Sequence, residues 1–324
     1  MERISPHIDI AFKKIFGVEE NKDLLISLIN AVVSEDDQVV DITLLNPYNQ
    51  KNFHEDKLSI LDIKAKGHHG KLFNIEIQLT DEADYDKRAL YYWAKVYTDQ
   101  LQNSEGYSLL TKVIGIHILN FVSIPNIEKY HNVFHIKEKE SGLHYFKDLE
   151  LHTIELKKFT KDIGTKFSDI ADKIHTALDL WTAFLARYDL LNPNKFGNQA
   201  ASPEVKKALS VLQIMNFNRD ERELYEGRLK WFRTELGMIE KMEKQGFKKG
   251  EEKGMKAGLE KGLEQGREQG LEQGREQGIK KGLHQAALSM LDKGMSPGEI
   301  SELIDLSSDE VRLLELSKKR SPIS

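Results

Sequence analysis

The segment LDIKAKGHHGKLFNIEIQL, residues 61–79, constrains the fold of this chain more than any other. Leu61, Ile63 and Ala65 alternate with Asp62 and Lys64; Phe73, Ile75, Ile77 and Leu79 alternate with Asn74, Glu76 and Gln78. Successive side chains of a strand point to opposite faces, so this two-residue period describes two strands with one buried face and one polar face. Gly67 and Gly70 bracket His68 and His69 and supply a turn. A turn centred on His69 sets positions 62 and 76 opposite each other, with Cβ atoms roughly 4.5–5.5 Å apart. That centring needs a loop of odd length, which the two glycines permit. The pattern predicts an antiparallel hairpin with Asp62 and Glu76 side by side on its polar face.

Two carboxylates that close repel each other. On alternation alone, a solvated acidic edge is the ordinary reading of such a pair. The alternative is that a cation holds the pair together. Mg²⁺ favours octahedral oxygen ligation and takes one or two protein carboxylates, leaving places for water and phosphate oxygens. Such an ion polarises a phosphoryl oxygen and activates water. Gln78 points to the same face as Glu76 and can orient water or a phosphate oxygen. Lys64 shares that face beside Asp62 and is either a source of positive charge for the site or a solvated strand lysine. His68 and His69 read as exposed turn residues, because adjacent strand side chains diverge.

The flanking sequence supplies the rest of an α/β unit. Ser5 and Pro6 predict the start of a first helix, whose stripe is Ile8, Phe12, Ile15 and Phe16 and which Gly17 can stop. Leu24, Leu25, Leu28, Ile29 and Val32 mark a second. Strand-type runs cover 39–46, 57–66 and 72–79. A helix over about 84–103 carries Tyr85, Ala89, Tyr92, Trp93, Val96, Tyr97 and Leu101 on one face. Arg88, Tyr91 and Lys95 lie on a second stripe of that helix and can meet backbone phosphates. Strands follow at 112–121 and 131–137. From about 160 only helix signals continue. Asp9 in the first helix either approaches the acidic pair or forms an i,i+4 surface pair with Lys13.

An aspartate, a short hairpin and then Glu-x-Lys form the core motif of PD-(D/E)XK nucleases, and here the motif reads Asp62, then Glu76-Ile77-Gln78. With DIAFKKIFG (9–17), NIEIQL (74–79), RALYYWAKVYTDQL (88–101), the Gly106–Tyr107 pair and SMLDKGMSPGEISELIDLSSDEV near the C-terminus, the chain resembles the Rpn family of recombination-promoting nucleases and transposases. The resemblance covers most of the chain and is tightest over 1–122. It implies a restriction-endonuclease-like α/β core, a central mixed sheet flanked by helices, followed by an all-helical C-terminal region. It further implies a Mg²⁺-dependent endonuclease acting on DNA and promoting recombination, in a mobile-element or phage-defence setting. Asp62 and Glu76 would be the metal ligands and Gln78 a third catalytic residue, with Asp9 and Lys64 as further candidates. Glutamine replaces the superfamily's lysine, a form the Rpn family also carries; it orients water without supplying charge. A rival reading keeps the nuclease fold as a silent DNA-binding or assembly module.

The predicted divisions are a nuclease-like domain over 1–160, a helical region over 161–245, a repeat over 246–283 and a helical, helix-turn-helix-like tail over 284–324. The repeat places glycine at every fourth position from Gly246 to Gly282, usually followed by an apolar residue. A four-residue repeat on a helix drifts by about 40° per step, so the glycine stripe winds around the helix. Ten glycines cost roughly 8–10 kcal/mol against alanine, which favours close packing on another chain, or else a flexible spacer. A homo-oligomer joined through this C-terminal region is therefore expected. Residues 240–283 hold 11 Lys/Arg against 9 Glu, so the tract is not a basic arm. The last predicted helix carries only Arg312 between Asp309 and Leu316, few cations for a DNA-reading helix.

A net charge of −5 argues against coating nucleic acid by bulk charge, while leaving room for local basic contacts. The chain has no cysteine, which excludes thiolate metal sites, disulfides and a cysteine nucleophile. The apolar run VIGIHILNFV is far too short to span a bilayer. The N-terminus lacks the apolar stretch of a signal peptide. A cytoplasmic location without membrane partners is expected.

Overall fold

The computed structural model describes residues 4–48, 62–81, 84–191 and 202–320. Helices α1 (Asp9–Phe16) and α2 (Lys22–Val32) lead into β1 (Ile42–Leu44), β2 (Asp62–Gly67) and β3 (Leu72–Gln78). Helix α3 (Tyr85–Thr98) precedes β4 (Val113–Leu119), β5 (His131–His135) and β6 (Leu149–Glu155). Then come α4 (Leu156–Phe159), α5 (Phe167–Ala171), α6 (Ala177–Arg187), α7 (Pro203–Ile214) and α8 (Arg219–Asp292). The chain closes with α9 (Pro297–Leu303) and α10 (Ser308–Arg320). The six strands form one mixed sheet in the order β1-β2-β3-β4-β6-β5. Pairings β1–β2, β2–β3 and β5–β6 are antiparallel; β3–β4 and β4–β6 are parallel. This is the α/β arrangement that the hairpin and its neighbours predict, with the mixed central sheet that the family resemblance implies.

Helix α1 starts three residues later than the Ser5–Pro6 signal predicts. The Ser5 hydroxyl contacts His7 Nδ1 at 3.0 Å, so it does not cap the helix. Strand β1 is shorter than predicted, and residues 57–61 of the second predicted strand lie outside the described residues. Strand β6 is absent from the sequence reading. Its LELHTIE run buries polar side chains on both faces, which hides the alternation. Two of those groups are satisfied in pairs: Glu150 meets Lys112 at 2.8 Å and His152 at 2.7 Å, and His152 meets His131 at 2.9 Å. Burial works against the Glu150 carboxylate, but His152 and Lys112 hold its pKa down to about 2.

Ile63, Ala65, Phe73, Ile75, Ile77, Ile114, Ile116, Ile118 and Ile154 face the main core, where they join Phe12, Phe16, Leu24 and Leu28. Trp181 and Phe184 of α6, Val205 of α7, and Tyr225 and Phe232 of α8 belong to that same cluster. The helices after residue 160 therefore complete the sheet's core, and one compact unit runs to Met238. Polar contacts reinforce the join: Lys14 Nζ lies 2.9 Å from Glu221, and the Ser5 N–H donates to Tyr225 Oη at 2.9 Å. Helix α3 covers part of the other sheet face. Val96, Leu72 and Val113 cluster at one end; Tyr85, Ala89 and Leu119 cluster at the other.

The second unit comprises residues 239–324. The glycine tract is helical, and a Cβ added at any glycine from Gly246 to Gly282 would meet nothing within 4 Å. Ala287, Ile300, Leu306 and Val311 form a small core between the end of α8, α9 and α10. Ser296 caps α9 with reciprocal Ser296–Glu299 hydrogen bonds. Among the described residues, no helix is long and apolar enough to cross a membrane.

Candidate active site

The β2–β3 turn fixes the register of the hairpin. The Gly67 N–H donates to Lys71 O at 2.8 Å, and Gly70 takes φ +85°, which favours glycine. Asp62 then pairs with Glu76, Ile63 with Ile75 and Lys64 with Asn74. Residues paired directly across a ladder lie on one face of a sheet. The parallel ladder continues that row from Glu76 to His117, and the next to Thr153. Positions 62, 76, 117 and 153 thus cross the sheet in line, on the face that carries α3.

Glu76 is half-buried. Its Oε1 accepts a hydrogen bond from Asn74 Nδ2 at 3.1 Å, and its Oε2 lies 3.8 Å from His117 Nδ1. His117 is almost wholly buried, and neither ring nitrogen has a hydrogen-bond partner among the described residues. Burial, helped by the positive fields of His152 and Arg88, pushes His117 down to about 4, so the imidazole is neutral at neutral pH. Tyr85 meets His117 edge-on with centroids 6.0 Å apart. Its hydroxyl is buried without a partner among the described residues; burial and the nearby Glu76 charge push the phenol pKa up. The Arg88 guanidinium carbon lies 5.8 Å from the Tyr85 ring centre.

The structure brings Glu76, Lys64, Gln78 and Arg88 to this side of the sheet. Lys64 and Gln78 are half-buried; the Lys64 N–H donates to Asn46 Oδ1 at 2.7 Å, and Gln78 Nε2 donates to Thr80 O at 3.4 Å. Tyr91 and Lys95 are exposed on α3. Tyr92, expected within the apolar stripe, is exposed instead. Trp93 donates to Val113 O and Tyr97 to Asp148, both at 2.8 Å, so the stripe facing the sheet runs through 93 and 97 and leaves Tyr92 outside it. His68 and His69 are exposed in the turn, as expected. Asp9 is buried, with Oδ2 3.0 Å from Arg228 Nε and Oδ1 accepting from the Ile10 N–H at 2.7 Å. Burial raises its pKa, with Arg228 and the Ile10 N–H opposing. A surface pair with Lys13 is ruled out, because both residues are buried.

Among the described residues, no three His, Asp or Glu side chains converge as a metal cage. A hard divalent ion does not require one, since it completes its shell with water and phosphate oxygens. The Glu76 carboxylate, with the His117 nitrogens and Asn74 Oδ1 that have no hydrogen-bond partner among the described residues, is a donor set that suits a cation.

Residues 6–241 match the family described as PD-(D/E)XK nuclease family transposase. The chain belongs to this family. The match extends past residue 160 through the helices that complete the core. No curated protein and no solved structure matches the chain. Enzymes of the PD-(D/E)XK nuclease class generally use divalent metal ions. Asp62 and Glu76 are direct ladder partners, as the hairpin pattern predicts. His117, Tyr85 and Asn74 escaped sequence reasoning as site residues. His117 looks like a polar interruption of a buried strand until the β3–β4 register aligns it with Glu76.

Proposed function

We propose that this PD-(D/E)XK family member is a divalent-cation-dependent endonuclease that hydrolyses DNA phosphodiesters, with Asp62 and Glu76 as the metal ligands. The observation that carries the reading is the direct Asp62–Glu76 pairing on the α3 face, with Lys64 and Gln78 on the same side. Mg²⁺ is the favoured ion; when bound, it would polarise the scissile phosphate and activate water. Asn74 holds Glu76 Oε1 and so fixes the carboxylate's orientation. Gln78 orients water or a phosphate oxygen, and Lys64 supplies the positive charge that glutamine lacks. Arg88, Tyr91 and Lys95 contact the DNA backbone. Asp9, engaged with Arg228, serves the site by fixing α1 against α8.

The same reading gives the protein a role in promoting recombination, in mobile elements or phage defence, within the cytoplasm. Self-association through the C-terminal helical region is part of it. Phe247, Met255, Leu259, Leu263, Leu271 and Ile279, which follow repeat glycines, are exposed along α8 and offer apolar contacts.

The test is incubation of purified protein with supercoiled plasmid, with Mg²⁺ and with chelator. Nicking that requires Mg²⁺ supports the proposal. Binding without cleavage under every divalent ion overturns it in favour of a silent DNA-binding module, and undiminished cleavage in chelator removes the metal mechanism.

A further inference from the structure

A buried imidazole with neither nitrogen hydrogen-bonded is costly, because burying an unsatisfied polar group forfeits its hydration. His117 is such a group, and its surroundings accommodate the ring in this pose. Gly115, two residues earlier on the same face, has no side chain; a Cβ there would come within 3.0 Å of His117 Nε2 and 2.6 Å of Leu151 Cδ2. Glycine at 115 therefore leaves the space in which the ring lies. Asn74, the ladder partner of Gly115, holds Glu76 Oε1. Among the described residues His117 thus has no hydrogen-bond partner, and its Nδ1 lies 3.8 Å from Glu76 Oε2.

We propose that His117 supplies a nitrogen donor to the cation held at Glu76, which makes the centre a mixed oxygen–nitrogen site. Two donors of one ion at bond lengths of about 2.1 Å lie between roughly 3.0 and 4.2 Å apart, depending on the angle between them. The observed Glu76–His117 separation falls within that interval. The donor also changes which ions the site prefers. Imidazole suits first-row transition ions, whereas carboxylate and water suit Mg²⁺. A site with His117 in its shell binds Mn²⁺ and Co²⁺ with an advantage over Mg²⁺ that an all-oxygen site lacks. This inference rests on the assignment of Glu76 as a metal ligand.

The test uses the full-length chain and Mn²⁺ alone, without DNA. Calorimetric titration of wild-type protein and of Glu76→Ala first establishes whether an ion binds at Glu76. Pulsed electron paramagnetic resonance on the Mn²⁺-loaded wild type then reads directly bound nitrogen, and ¹⁵N-histidine labelling should change its pattern. Loss of the nitrogen coupling in His117→Gln, with Mn²⁺ affinity lowered about tenfold or more and Mg²⁺ affinity lowered less, is the expected result. Ion binding that depends on Glu76 but shows no nitrogen coupling overturns the role of His117 and leaves the metal site standing. A coupling that survives in His117→Gln also overturns it. No Glu76-dependent binding at all removes both readings. The wild-type spectrum decides the question even if His117→Gln fails to fold.

Discussion

Asp9 on α1 and Arg228 on α8 form an ion pair of 3.0 Å between residues 219 positions apart in sequence. The carboxylate is buried and the guanidinium is about one-third exposed. With Lys14–Glu221 and Ser5–Tyr225, this pair fastens the first helix to the start of the last helix of the compact unit. Removing one partner of a buried pair leaves the other charge uncompensated. Arg228→Met should therefore destabilise the protein by about 2 kcal/mol, the partial exposure of the arginine keeping the loss below that of a fully buried pair. Adding Asp9→Asn should restore part of the loss, because the stranded charge is gone. Urea denaturation of the two single variants and the double variant measures this. Strictly additive losses would show that the pair carries no coupling.

The buried histidine–glutamate network on β5 and β6 predicts the acid limb of stability. Burial and the His152 charge lower His131 from 6.5 to about 4, against a favourable field from Glu150. A lowered histidine pKa means that the unfolded chain takes up the proton first as pH falls. Stability is then lost between about pH 6.5 and about pH 4, by up to about 3 kcal/mol for a shift of this size. Glu150 adds a second phase of the same sign. It is held at about 2 against an ordinary 4.5, so its contribution is present above pH 4.5 and disappears as pH falls towards 2. The midpoint of thermal unfolding should decline through both windows. His131→Gln should reduce the slope between pH 6.5 and 4, leaving the part that His117, lowered over the same interval, contributes; an unchanged slope there would mean that His131 does not contribute.

How much of this was legible in the sequence depended on where polarity and burial agree. On β2 and β3 one face is apolar and the other polar, so alternation gave the hairpin, its register and the Asp62–Glu76 pairing. On β6 burial and polarity diverge. Glu150, His152 and Glu155 are buried; Glu150 and His152 pair with each other, and Lys112 and Lys158 reach Glu150 and Glu155 from outside the strand, so burial does not follow polarity and the strand left no pattern. His117 was unreadable as a neighbour of Glu76 for a related reason: parallel register is set by tertiary packing, with no turn to count from. The change to helices near residue 160 was visible, whereas the continuity of the core across it was not. Trp181 and Phe184 read as an amphipathic stripe whose destination only the fold reveals.

The proposed chemistry predicts a graded response along the β2–β3 hairpin. Asp62→Ala and Glu76→Ala should each abolish plasmid nicking while leaving the fold intact, since the apolar core beneath the hairpin is built from Ile63, Ala65, Phe73, Ile75 and Ile77 and no core cavity is created. DNA affinity should survive both changes, because cations contacting phosphates dominate it. The corresponding loss of affinity belongs to Arg88→Ala and Lys95→Ala, and each should lower the salt dependence of binding by about one phosphate contact. Gln78→Ala should be milder than loss of either carboxylate if the amide only orients water. Gln78→Lys restores the charge usual in the superfamily and should keep or raise the rate. Its partner in the present arrangement, Thr80 O, accepts equally from an ammonium group. The measurements are nicking rate against Mg²⁺ concentration, filter binding at several salt concentrations, and circular dichroism as the folding control. Undiminished cleavage by a folded Asp62→Ala/Glu76→Ala double variant would move the active site elsewhere. A Gln78→Lys variant that folds, binds DNA and Mg²⁺ normally and yet cannot cut would show that the neutral amide itself is required.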